Sequence, residues 1–161
     1  MAKAGYTTGV GATATPLVAA TAKTVLCVIC PAQFGIDLKK VRVSTDGVTA
    51  SALPVLCELM LSTLATNSTP GTNNTAGTVL QVYGQTITPG FTSFYSSTAG
   101  NEPTALTLIE PPFWLDPNKS TVIYDIPLGD TPDAADTDGF VFRMTAPAAV
   151  NVRVTGFFER T

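Results

Sequence analysis

Hydrophobic and polar side chains alternate along the segment 139–160 of the chain. Phe140 and Phe142 occupy alternate positions before an Ala-Pro-Ala-Ala corner, and Val152 and Val154 do so after it. A period of two is the pattern of a β-strand that buries one face. The segment therefore predicts a hairpin of two antiparallel strands, whose apolar face must be covered by a second sheet or by a partner subunit.

Similar runs, bounded by turn residues such as Asp46-Gly47, recur at 23–30, 37–45, 77–87, 105–109 and 121–126. Segment 54–64 has apolar residues at helical spacing, but alternation fits it nearly as well and agrees with the neighbouring strands. These elements predict an all-β chain of about eight strands in an antiparallel two-sheet sandwich. Long connections at 66–76 and 129–138 suit a jelly roll, with an immunoglobulin-like sandwich as the alternative.

Residues 1–20 follow no regular period, because glycine and proline interrupt them throughout. This pattern predicts an extended N-terminal arm over 1–20, followed by a single β-sandwich domain over 21–161. The arm is too poor in charge to resemble an ordinary disordered tail, so we expect it to dock on a neighbouring subunit. Its expected apolar anchors are Tyr6, Val10, Leu17 and Val18.

Charged residues make up 13% of the 161 residues, against about 25% in typical soluble domains. So low a charge predicts that other subunits cover much of the surface, with a Thr- and Ser-coated monomer as the alternative. We therefore expect a homo-oligomer with aromatic residues at its seams. The candidates are Phe91, Phe94, Tyr95 and Trp114.

Histidine is absent, which excludes histidine-based catalytic triads and histidine metal sites within one chain. No pair of carboxylates and no glycine-rich loop has a context that indicates catalysis, so we expect neither enzyme activity nor a cofactor. The acidic loop 129–138 could supply oxygen ligands to calcium, but its spacing differs from that of an EF-hand. We expect a solvated loop and no metal site.

Cys27 and Cys30 lie three residues apart in a predicted strand, so they should face opposite sides of it. Together with Cys57 they are expected to be buried thiols rather than disulfides or zinc ligands. A net charge of −3 without a run of Lys or Arg predicts no nucleic-acid surface. The apolar runs are too short to span a membrane and no signal-peptide pattern is present, so we expect a protein of a reducing cytoplasm.

Three stretches carry a family resemblance: Phe-Gly-Ile-Asp-Leu-Lys-Lys at 34–40, Asp-Gly-Val-Thr-Ala-Ser-Ala at 46–52 before Pro54-Val55, and the corner 145–153 with Phe157-Phe158-Glu159. Their arrangement resembles the small jelly-roll decoration, or minor capsid, proteins of tailed bacteriophages. The resemblance implies a protein made in the bacterial host cytoplasm that binds the outside of an assembled capsid as a trimer. It also implies that the protein cements neighbouring major capsid subunits, and it supplies no catalytic residues.

Two other classes of function remain open from the sequence. A carbohydrate-binding or fibre-tip module would grip its ligand with polar loops and with Tyr83, Phe94 and Tyr95. A shell-forming single jelly-roll capsid protein would assemble into closed particles by itself. A decoration protein differs from both, because alone it should be a small oligomer that binds mature shells.

Overall fold

The computed structural model describes residues 4–9, 14–30, 34–46, 53–63, 75–95, 102–103, 105–118, 121–127, 129–135 and 138–161. Within these residues the chain forms fourteen β-strands and no helix. The strands build two antiparallel sheets that pack face to face around a common core. The predicted all-β two-sheet sandwich is thus confirmed. The strands outnumber the eight predicted because short strands of two to four residues extend both sheets.

In chain order the strands are β1 (Gly5–Gly9), β2 (Thr15–Leu17), β3 (Ala22–Ile29), β4 (Ile36–Asp46), β5 (Val55–Ser62), β6 (Thr75–Ala76), β7 (Thr78–Tyr83), β8 (Thr92–Tyr95), β9 (Leu106–Leu108), β10 (Phe113–Leu115), β11 (Val122–Asp125), β12 (Asp133–Ala134), β13 (Gly139–Thr145) and β14 (Val150–Arg160). The first sheet has the order β11, β4, β14, β1, β7, with β12 beside β4 and β2 beside β14. The second sheet has the order β10, β5, β13, β3, β8, β6, with β9 beside β5. β5 confirms that residues 55–62 of the segment 54–64 form a strand and not a helix.

Alternation along β13 and β14 places their apolar side chains between the two sheets. Phe140 and Phe142 of β13 and Val154 and Phe158 of β14 are at most 3% exposed. The rings of Phe140 and Phe158 lie 6.0 Å apart, so the two strands touch across the core. Burial of a side chain of this size stabilises the fold by about 1.5–3 kcal/mol.

The predicted hairpin of β13 and β14 does not form. β13 lies between β3 and β5 in the second sheet, and β14 lies between β4 and β1 in the first. The corner 146–149 therefore carries the chain from one sheet to the other. Both strands keep the predicted alternation because each has one face toward the same core. Periodicity defines the buried face of a strand and leaves its hydrogen-bonded neighbour undefined.

The N-terminal segment is part of the sandwich rather than a separate arm. β1 is inserted between β14 and β7, and β2 pairs with the first residues of β14. Gly9 permits this close approach, because a Cβ at its position would lie 2.5 Å from the carbonyl oxygen of Val154. The described residues 4–9 and 14–20 thus pack with the domain, and the expected division at residue 20 does not separate them from it.

The three cysteines are buried thiols. Cys27 and Cys30 face opposite sides of the second sheet, as their spacing predicted. Cys30 belongs to the core between the sheets, whereas Cys27 belongs to a smaller cluster on the outer side with Met60, Phe94 and Val141. Burial raises the pKa of the Cys27 thiol, and it raises that of the Cys57 thiol to about 12.

The two sheets are joined along one side of the sandwich and line a cleft on the other. On the joined side β6 of the second sheet leads into β7 of the first, and the hydroxyls of Thr8 and Ser93 are hydrogen-bonded between the sheets. On the other side, residues of β11 and of the second sheet line a cleft of about 280 Å³.

Candidate interaction surface

Four of the eight residues predicted to bind a partner are core residues: Tyr6, Leu17, Phe91 and Phe94. The ring of Tyr6 meets that of Phe91 edge-on at a centroid distance of 5.4 Å. The Tyr6 hydroxyl donates a hydrogen bond of 2.9 Å to the carbonyl oxygen of Ile87. The apolar area of these four side chains is covered within one chain. Tyr6, Leu17 and Phe91 pack in the core between the sheets and Phe94 in the smaller cluster on the outer side of the second sheet, so none has surface left for a neighbouring subunit.

The other four candidates do not form one surface. Trp114 lies in β10, an edge strand of the second sheet, and is 67% exposed. Val18 follows β2 beside the first sheet and is also exposed, while Tyr95 is half-buried at the end of β8. Val10 lies outside the described residues. Trp114, expected at a subunit seam, is therefore exposed in the single chain.

Strand β7 carries exposed apolar side chains at the edge of the first sheet. Leu80, Val82 and Tyr83, named here the β7 surface, are 58%, 56% and 50% exposed. β7 ends its sheet, and in the described part of the chain it pairs with β1 alone. Among the described residues no strand pairs with its other edge, which lies beside these side chains. The strand also lacks the lysine and proline residues that commonly protect such an edge.

The sequence pattern placed residues 77–87 in a strand but did not indicate the exposure of β7. One feature of the strand could have indicated this exposure. Val79 packs against the core while the adjacent Leu80 points the other way, so the strand has apolar residues on both faces. An uncharged strand of this kind is either buried within a sandwich or covered by another chain.

A row of side chains continues from the β7 surface across the outer face of the first sheet. Leu80 is opposite Thr7, and Thr7 is opposite Phe157. Lys40 follows on the far side of Phe157, with its Nζ 5.3 Å from the ring centroid. Asp125 ends the row and pairs with Lys40 at 3.2 Å. Directly paired residues share one face of a sheet, so this face is apolar near β7 and charged toward β11.

Packing and a hydrogen bond fix Tyr83 at the end of β7. Its ring lies against Gly5, where a Cβ would overlap the ring. Its hydroxyl donates to the carboxylate of Glu159, which also pairs with Lys39 at 3.1 Å. Burial, together with this hydrogen bond, raises the pKa of Tyr83 to about 12, so the hydroxyl remains a donor at neutral pH. The β7 surface thus includes one aromatic ring that is exposed and held in place.

The opposite side of the sandwich also exposes apolar residues. Ile123 lies in β11, the other edge strand of the first sheet, and is 55% exposed. It is paired with Arg42 of β4. Trp114 is paired with Leu56 on the outer side of the second sheet, because Phe113 and Leu115 on either side of it pack toward the core. The chain therefore has exposed apolar side chains at both lateral sides.

The cleft beside β11 combines apolar walls with two acidic residues. Its lining consists of Leu59, Ile109, Glu110, Tyr124, Ile126, Pro127, Asp130 and Pro132. The Tyr124 hydroxyl donates to Glu110 Oε2, and this hydrogen bond is the main reason why the pKa of Tyr124 is raised to about 12. The Tyr124 ring stacks on Phe113 of the second sheet at a centroid distance of 5.6 Å. These contacts hold edge strand β11 against the second sheet.

Charged groups on the outer face of the second sheet make structural contacts. Arg143 donates two hydrogen bonds to Glu58, of 2.8 and 3.1 Å. The Glu102 carboxylate accepts hydrogen bonds from the backbone N–H of Thr24, at 3.2 Å, and from its hydroxyl. Burial raises the pKa of Glu102. Its contacts fasten segment 102–103 onto strand β3.

The described residues contain no group of three or more His, Cys, Asp or Glu side chains that could hold a metal ion. Asp136 of the acidic loop lies outside them, so the expectation of a metal-free loop stays a prediction. No helix in the described part of the chain is long and apolar enough to cross a membrane. Comparisons with protein-family models, with curated proteins and with solved structures found no match to the chain.

Proposed function

We propose that the chain is a structural virion protein that decorates the outer surface of an assembled phage head and cements neighbouring major capsid subunits. The β7 surface carries the proposal. An uncharged edge strand with three exposed apolar side chains is the kind of surface that a protein assembly covers. The resemblance of segments 34–40, 46–52 and 145–153 to decoration proteins suggests that this assembly is a phage capsid. Such a protein would be made in the bacterial host cytoplasm and carried on the virion.

We further propose that the chain is threaded as a jelly roll, which would support the same class of protein. In the first sheet β1, β14, β4 and β11 lie side by side, and in the second β3, β13, β5 and β10 do so. Two four-stranded sheets of this order correspond to the eight strands of two Greek keys. We infer that β7 and β8 are additions beside β1 and β3. Jelly rolls recur in viral capsid proteins, which fits a place on a capsid.

A trimer is part of the proposal. In a closed ring each subunit contacts one neighbour through one side and the next neighbour through the other side. The chain offers apolar residues on both sides, with the β7 surface on one and Ile123 and Trp114 on the other. Three is the number of subunits that the resemblance implies.

A sedimentation assay tests the decoration function. Capsids of the virus that encodes the chain, produced without its gene, are mixed with the purified protein. The protein should sediment with mature capsids to saturation and raise the temperature at which they rupture. Val82→Lys should weaken binding at least tenfold, because it places a charge in a surface that the assembly covers. Leu108→Lys, at an exposed apolar position of the second sheet, is the matched control and should bind normally.

Other results would redirect or remove the proposal. Absence of co-sedimentation at micromolar protein would remove the decoration function. Specific glycan binding would favour the carbohydrate-binding or fibre-tip alternative, and closed particles formed by the protein alone would favour the shell-forming alternative. Equal weakening by Val82→Lys and Leu108→Lys would show that β7 is not the contact.

A further inference from the structure

In the described part of the chain, neither β7 nor β11 has a second strand beside it, and both strands carry little charge; β12 adds Asp133 to the β11 edge. β7 presents Leu80 and Val82 at one edge, and β11 presents Ile123 at the other. Asp125 is the charged residue of these two strands, and it already pairs with Lys40 at 3.2 Å. Neither strand contains lysine or proline. Edges of this kind are templates for pairing with another strand.

The two edge strands run in the same direction. The order β11, β4, β14, β1, β7 has an odd number of strands, and each neighbouring pair is antiparallel. The first and last strands are consequently parallel to each other. A second copy of the chain can be generated by rotation about an axis parallel to the strands, and this rotation keeps the strand direction. It can therefore place β7 of one copy beside β11 of the next. The same sheet therefore supplies both halves of a possible contact.

We propose that β7 of one copy pairs in parallel with β11 of a second copy, which joins their first sheets into one continuous sheet. Backbone hydrogen bonds along the joined edges supply the affinity, as in other strand additions. Leu80, Val82 and Ile123 lose their exposure in this contact, and no pair of like charges is brought together. A contact between two different edges repeats from copy to copy and gives a ring when the rotation between copies closes. The number of subunits, three, rests on the proposed function, whereas the pairing of β7 with β11 does not.

Disulfide cross-linking of the full chain tests this pairing without capsids. The native cysteines are buried thiols and should not take part. A variant with both Val82→Cys and Ile123→Cys, treated with a mild oxidant, should give covalent species of two and three chains on non-reducing gels. A second variant, with Leu80→Cys and Ile123→Cys, tests a pairing in which β7 is shifted by two residues along β11. Val82→Cys with Leu108→Cys is the matched control and should remain a single-chain band.

Three outcomes would overturn the inference. Cross-linking of Val82→Cys alone, in the yield of the double variant, would mean that β7 pairs with itself and forms a closed dimer. Single-chain bands from both double variants, at concentrations where sedimentation shows an oligomer, would place the contact elsewhere. A monomer in sedimentation would exclude it altogether. Because no capsid is present, failure here together with normal capsid binding would reject the contact and leave the decoration function intact.

Discussion

Replacing Tyr6 with alanine should remove much of the stability of the sandwich. The side chain is 1% exposed, its ring packs against Phe91, and its hydroxyl donates to the Ile87 carbonyl. Truncation of a buried aromatic residue to alanine costs about 3–5 kcal/mol, and loss of the hydrogen bond adds about 1 kcal/mol. Since domains of this kind are stable by only about 5–15 kcal/mol, a loss of about 4 kcal/mol or more would leave the variant near unfolding.

Urea denaturation followed by circular dichroism measures this loss. Tyr6→Phe keeps the ring and removes the hydroxyl, so it should cost about 1 kcal/mol. Val18→Ala changes an exposed residue of the same N-terminal segment and should stay within about 0.5 kcal/mol of the parent. If Tyr6→Ala lost less than about 1 kcal/mol, β1 would not be a structural strand and the docking arm would again be the better interpretation of residues 1–20.

Thiols, alkaline pH and a charged pair give three further predictions. The three cysteines should resist iodoacetamide in the native protein and react in denaturant, because all three are buried and burial raises the pKa of Cys27 and Cys57; fast native labelling would contradict their burial. Tyr83 and Tyr124 have folded pKa values of about 12, above the unfolded value of about 10, so their stabilising effect is complete below pH 10 and lost as pH rises toward 12. As pH rises toward 12, the midpoint temperature of thermal unfolding should therefore fall less in the double variant with Tyr83→Phe and Tyr124→Phe than in the parent. Equal falls in the two proteins would show that these two tyrosines are not the cause. A double-mutant cycle on Glu58 and Arg143 should give a coupling of about 1 kcal/mol, because the pair is bidentate and partly buried; zero coupling would count against that geometry.

The alternation of residues predicted the strands of the core but not their neighbours. β13 and β14 bury the predicted faces, yet they belong to different sheets. A four-residue corner can close a hairpin or carry the chain across a sandwich, and both solutions bury the same side chains. The choice depends on β3, β4 and β5, which occupy the neighbouring positions in each sheet. That information is long-range and does not appear in a local period.

The N-terminal segment shows how a local pattern can mislead. Glycines at 5 and 9 interrupt alternation and predicted an arm, but both positions are close contacts within the fold. Gly5 makes room for the Tyr83 ring, and Gly9 lies against the backbone of β14. A glycine that permits close approach and a glycine in a flexible tail are identical in sequence. The difference depends on distant residues that fold over them.

The candidate surface was only partly predictable for a related reason. Low charge predicted that the chain has covered surfaces, but two of the aromatic residues expected there, Phe91 and Phe94, are buried within the single chain instead. Large apolar residues serve cores and interfaces equally well, so residue type does not separate the two roles. The exposure of Leu80 and Val82 follows from the position of β7 at the end of a sheet, which depends on the order of all the strands.

Electron cryomicroscopy of capsids mixed with the protein tests the proposed function most directly. We predict density for a two-sheet sandwich on the outer surface, where major capsid subunits meet, with Leu80 and Val82 buried against a neighbouring chain. A capsid surface without the sandwich, or a bound sandwich whose β7 surface faces solvent, would contradict the proposal.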